Sequence, residues 1–171
     1  EKKVSSTMGH NLMQNNPFGH SRISQANNNF KDLINVLKSG DLEYFVKIAE
    51  NEALTLHAMM MTSNPSYILM KPNTISVIEK IWEYRKETNI PVCFTLDAGP
   101  NIHLLYPHEN KNDVIELIES ISSFITEQPI MDYMGDGPEK IQAEKLCRKL
   151  NRSDRVKFMG KLKSVEEFLS I

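Results

Sequence analysis

At 171 residues the chain is long enough for one ordinary domain, or for one domain and a piece of another. Its 40% apolar and 25% charged residues belong to a folded globular protein and exclude a disordered one. A net charge of −2, with no long single-sign run, excludes bulk attraction to nucleic acid or anionic lipid and leaves room only for a local basic patch.

The amino terminus, Glu1-Lys2-Lys3-Val4-Ser5-Ser6-Thr7, lacks an initiator Met, an apolar core and a cleavage site. Residues to about Pro17 are rich in Ser, Asn, Gly and His and read as a loop or short strand. Ile23, Ala26, Phe30, Leu33, Ile34 and Leu37 recur at helical spacing, and Ser39-Gly40 stops the run. Asp41 is expected to cap a second helix, with Leu42, Phe45, Ile48, Ala49, Leu54 and Leu56 as its apolar stripe. Met59-Met60-Met61 reads as adaptable packing, and His57 beside it as a packed, hydrogen-bonded residue. Asn73 is the expected cap of a third helix with the stripe Ile75, Ile78, Ile81 and Trp82, broken at Asn89.

Pro91 to Leu96 and Ile102 to Tyr106 are β-prone runs joined by Asp97 to Asn101. Lys111 to about Ile125 is helical again. Helices, then strand-loop-strand, then a helix predict an α+β sandwich with helices on one face of an antiparallel sheet. From about Gln128 a strand, a glycine turn, a helix, a strand and a helix alternate. The expected domains are therefore 1–128 and a short α/β tail, 129–171. The chain ends within an amphipathic pattern at Leu169-Ser170-Ile171, so it reads as a fragment. No stretch approaches the roughly 20 apolar residues of a membrane span. Cys93 and Cys147 fit a cytosolic chain with reduced thiols better than a disulfide scaffold. Neither they nor His20, His103 and His108 have metal-ligand spacing.

Asp97 stands at the end of an apolar strand and is followed at once by Ala98, Gly99, Pro100 and Asn101. Gly99 permits positive φ and close approach of a ligand, while Pro100 stiffens the turn. A carboxylate so placed can orient a hydroxyl, take its proton or bind a metal. It can equally cap a hairpin turn through local hydrogen bonds, and spacing leaves both readings open.

Phe94 to Asn101 resembles the Asp-Ala-Gly-Pro-Asn signature of diphosphomevalonate decarboxylases, members of the GHMP kinase superfamily. Val4-Ser5-Ser6-Thr7-Met8-Gly9 is similar to their Val-Ser-Ser-Thr-x-Gly segment, and Ala53 to Ala58 resembles a helix bearing a His-Ala pair. The three motifs occur in the family's order over about Lys3 to Glu127. The resemblance implies a GHMP-kinase C-terminal-type sandwich and an ATP-dependent decarboxylation of diphosphomevalonate to isopentenyl diphosphate. It implies Asp97 as the catalytic carboxylate and Ser6 as a substrate contact, with Ser5, Thr7, Gly9 and His10 as further candidates. It also implies ATP and Mg2+ in the full-length enzyme, a small-molecule substrate, a cytoplasmic location and a homodimer. Another GHMP member, such as a mevalonate 3-kinase or a phosphomevalonate decarboxylase, is the close alternative. The superfamily's Gly-Leu-Ser-Ser-rich ATP loop is absent, so the chain alone is expected to be inactive.

Gly135-Asp136-Gly137-Pro138-Glu139, the charged helix after it and Arg155 to Gly160 also resemble the donor-nucleotide lobe of retaining two-lobe glycosyltransferases. That resemblance implies a glycosyltransferase fragment as the reading of a different class. A non-catalytic interaction domain is the third.

Overall fold

The computed structural model describes residues 16–96 and 99–125. The chain divides into two compact units, Glu1–Ile125 and Thr126–Ile171, and every described residue belongs to the first. The tail's expected strand-turn-helix pattern lies outside the described residues.

Helix α1 runs Gly19–Ser39 and ends where Gly40 takes the left-handed conformation, φ 74°, its N–H bonded to the Val36 carbonyl. Two residues later α2, Leu42–Met61, begins at Asp41, whose carboxylate accepts the Tyr44 backbone N–H at 3.0 Å. Both expected boundaries are observed, because each rests on local chemistry. Helix α3, Pro72–Thr88, stops at Asn89, which is left-handed at φ 58°. Asn73 does not cap it. The cap is Lys71, two residues earlier, and Asn73 Nδ2 instead donates to the Phe124 carbonyl at 2.9 Å. Strands β1, Cys93–Leu96, and β2, Ile102–Leu105, pair antiparallel with Leu96 opposite Ile102 and Cys93 opposite Leu105. Helix α4, Lys111–Ser120, follows a 3-10 turn, and a second 3-10 turn, Ser122–Phe124, carries the chain to Ile125. The result is a mixed α+β arrangement of helices on a small antiparallel sheet.

The core gathers Ala53 of α2, Val77, Ile78 and Ile81 of α3, Val92, Phe94 and Leu96 along the first strand, and Val114, Leu117 and Ile121 at α4. Cys93 is buried as well, so β1 is covered on both sides apart from the half-buried Thr95. Each fully buried side chain of this size stabilises the fold by about 1.5–3 kcal/mol.

The helices turn their expected apolar stripes inward only in part: Ile48, Ile78 and Ile81 are buried, while other stripe positions face solvent. On α2 the buried positions include Val46, Glu50, Ala53, His57 and Met60, while Leu42 is exposed. Spacings of four, three, four and three make this a true helical seam, and it includes a carboxylate and an imidazole. On α1, Ile23, Phe30 and Leu37 face solvent. Polar pairs join α1 to α2: Arg22 pairs with Glu52 at 2.5 Å, Asn29 donates to Glu52 at 2.7 Å, and Gln25 bonds Asn51. Tyr44 OH donates to Asp32 at 2.7 Å near the helix turn. On α3, Ile75 and Trp82 lie partly in solvent and Val77 takes the interior position.

Candidate functional site

The loop singled out in sequence is the connection of the β1–β2 hairpin. Because Leu96 pairs with Ile102, the connection is residues 97–101. Of these, Gly99 is buried and Pro100 and Asn101 are exposed. Asp97 and Ala98 lie outside the described residues, as do Ser5, Ser6, Thr7, Gly9 and His10. The structure therefore gives the frame of the candidate carboxylate and not its partners.

One expectation for this loop is corrected. Gly99 does not occupy the left-handed region, and a Cβ added there would meet nothing within 4 Å. Its glycine is not required by backbone strain or by crowding among the described residues.

The frame is held at two points from α3. Near the helix start, the Thr74 hydroxyl donates to the Pro100 carbonyl at 2.9 Å and accepts the Lys71 backbone N–H at 3.1 Å. Near the helix end, Arg85 Nη1 donates to the carbonyl of Val92, the residue before β1, at 2.7 Å. The same guanidinium grips Glu50 of α2 with both terminal nitrogens, at 2.6 and 2.9 Å, and the Trp82 indole N–H donates to Glu50 at 2.8 Å. Glu50 is 7% exposed, so three N–H donors replace most of the water its carboxylate gives up. Trp82 also leans on Phe94, with ring centroids 6.1 Å apart. Thr74, Glu50 and Arg85 were passed over in the sequence reading. The one local signal was a Thr in the first turn of a helix opened by Pro72. Nothing local marks Glu50, whose partners lie 32 and 35 residues away.

Cys93 is a free, buried thiol, 1% exposed. Burial pushes its thiol up to about 12, the Glu50 carboxylate adds to the rise, and Arg85 opposes it. The folded state then holds the thiol proton more tightly than the unfolded chain does. The contribution of Cys93 to stability should be constant below pH about 9 and fall as pH climbs from there toward 12, by about 1.4 kcal/mol per unit. Burial also raises Tyr67, Tyr84 and Tyr106, which steepen the same branch. Denaturant titrations between pH 8 and 10.5 should thus show a shallower decline in Cys93→Ala than in the parent. Equal slopes would contradict the burial argument.

His57 is 1% exposed, as expected of a packed histidine. Among the described residues no three His, Cys, Asp or Glu side chains gather for a metal ion, and no helix is long and apolar enough to cross a membrane.

Helices backing a hairpin, with its connection braced from one of them, define an α+β domain built to present a short loop. The chain belongs to the family described as the mevalonate 5-diphosphate decarboxylase C-terminal domain, whose model matches residues 1–168. That span includes the residues whose pattern resembles a glycosyltransferase. A curated relative, the phosphomevalonate decarboxylase of Haloferax volcanii, is 26% identical over 98 residues, 57% of this chain and 30% of the relative. Among solved structures, the mevalonate diphosphate decarboxylase from Legionella pneumophila is 28% identical with a TM-score of 0.66, over 70% of this chain and 38% of that one. The MDDEF protein in complex with MVAPP, AMPPCP and magnesium shares the fold at 22% identity and a TM-score of 0.66, over 70% of this chain and 37% of that one. The chain thus spans less than two-fifths of the length of these relatives.

Proposed function

We propose that the polypeptide carrying this domain is an ATP-dependent decarboxylase of a phosphorylated mevalonate, with Asp97 as its catalytic carboxylate. The observation that carries the reading is the family match across residues 1–168, with the Asp-Ala-Gly-Pro-Asn sequence at the connection of a braced hairpin. A tertiary alcohol is a poor nucleophile at neutral pH. A carboxylate beside it orients the hydroxyl and receives its proton as the phosphoryl bond forms. In loose phosphoryl transfer such positioning matters more than basicity. Ser6, with a hydroxyl to donate, is assigned to a substrate carboxylate or phosphate oxygen, and Ser5, Thr7, Gly9 and His10 to the same wall.

ATP and Mg2+ belong to this reading as the source of the phosphoryl group. Among the described residues no three His, Cys, Asp or Glu side chains gather for a cation, and the expected Gly-Leu-Ser-Ser-type ATP loop is absent from the chain. Their contacts are therefore assigned elsewhere in the complete polypeptide. A cytoplasmic location and a homodimer complete the proposal.

The test is ATP-dependent CO2 release by the complete natural polypeptide, offered 5-phosphomevalonate and 5-diphosphomevalonate in parallel. The reading expects turnover of one of them and none by the 171-residue chain alone. No CO2 from either substrate would overturn it.

A further inference from the structure

Thr74 is 4% exposed, and its hydroxyl is used twice. It accepts a hydrogen bond from its own helix start, the Lys71 N–H, and spends its single hydrogen on Pro100, 26 residues away. A helix cap needs only the accepting half of this arrangement. The donating half serves the loop. Pro100 has no N–H and a restricted φ, so holding its carbonyl sets the plane of the peptide that leads to Asn101. At the other end Leu96 is 6% exposed and locked by its pairing with Ile102. In sequence Asp97, Ala98 and Gly99 lie between these two anchors.

We propose that Thr74 is a positioning residue for the reaction: its hydroxyl bond to the Pro100 carbonyl sets the loop that carries Asp97. The inference rests on the reading of Asp97 given above. It makes α3 a splint along β1, fixed at Val92 by Arg85 and at Pro100 by Thr74. The two donors are eleven residues apart, about 16 Å of helix, enough to run past a four-residue strand and reach its loop. Misplacement of a reacting group by about 1 Å costs on the order of a hundredfold in rate. A looser loop should therefore act on turnover rather than on substrate affinity.

The experiment compares Thr74→Val, Thr74→Ala and Thr74→Ser with the parent and with Asp97→Asn, all in the complete polypeptide, by steady-state CO2 release. Val keeps the shape and loses the hydroxyl, and Ser keeps the hydroxyl. Thr74→Val should lower kcat about tenfold or more with KM within about threefold. Thr74→Ser should stay within about threefold of the parent in both constants. A kcat for Thr74→Val equal to the parent's, while Asp97→Asn is inactive, would overturn the positioning role and leave the Asp97 reading intact. An active Asp97→Asn would instead remove the reading itself. Equal impairment of Val and Ser, or failure of both Val and Ala to fold, would also overturn the proposal by assigning Thr74 to the fold alone.

Discussion

Asp97→Asn in the complete polypeptide is expected to lower kcat for ATP-dependent CO2 release by about 10²–10⁴-fold, the usual worth of a positioned acid-base group. The exchange keeps size and most hydrogen-bonding capacity and removes only the charge and the ability to take a proton. The competing reading makes Asp97 a turn cap. In that case Asn, itself a good turn residue, would substitute with little loss of either activity or stability. The two readings therefore diverge by orders of magnitude on one variant. Single-turnover measurement with saturating ATP isolates the chemical steps, and KM should move much less than kcat. Thermal unfolding should stay within about 1 kcal/mol of the parent, since the frame rests on Leu96, Pro100 and the hairpin pairing. Retention of more than a tenth of parental kcat would remove Asp97 from the chemistry.

The largest stability effect is expected at Arg85. Its side chain is 25% exposed and that of Glu50 10%, so the pair sits mostly out of water. Truncation to Ala strands the Glu50 carboxylate beside the core, where among the described residues Trp82 remains as its donor, and also removes the Arg85 donor from the Val92 carbonyl. Breaking one partner of a buried pair costs about 3–5 kcal/mol, a fall in Tm on the order of 10 °C for a chain of this size. Replacing both partners should recover much of that, because the stranded charge goes with them. Glu50→Leu with Arg85→Leu is thus predicted to be more stable than Arg85→Ala alone. Denaturant unfolding of the single and double variants reads the coupling directly. A loss below about 1 kcal/mol in Arg85→Ala would show the pair to be solvated in practice.

These expectations turn on contacts that join distant segments, and here sequence and tertiary structure divide. The ends of elements were legible. Gly40, Asp41 and Asn89 act through their own backbone geometry or a side chain three residues from its target, so the sequence names them without knowing the fold. The hairpin was legible too, since two apolar runs five residues apart have little choice of partner. The Asp-Ala-Gly-Pro-Asn motif marked its connection for the same reason.

Which face of each helix turns inward was legible only in part, through Ile48, Ile78 and Ile81. Apolar spacing says that a stripe exists, but neighbours decide which stripe is covered. On α1 half of the stripe, Ile23, Phe30 and Leu37, stays exposed while Ala26, Leu33 and Ile34 are half-buried, and Arg22, Gln25 and Asn29 meet α2 through Glu52 and Asn51. On α2 a carboxylate, Glu50, occupies a core seam. Arg85 and Trp82, brought beside it by the packing of α3, make that burial tolerable. The same packing assigned Thr74 its second bond. By itself the sequence determined where the helices, the hairpin and the candidate carboxylate fall, since those follow from local backbone chemistry. Only the tertiary structure decided what braces that loop, since a buried polar side chain takes its role from whichever donor or acceptor the fold sets within about 3 Å.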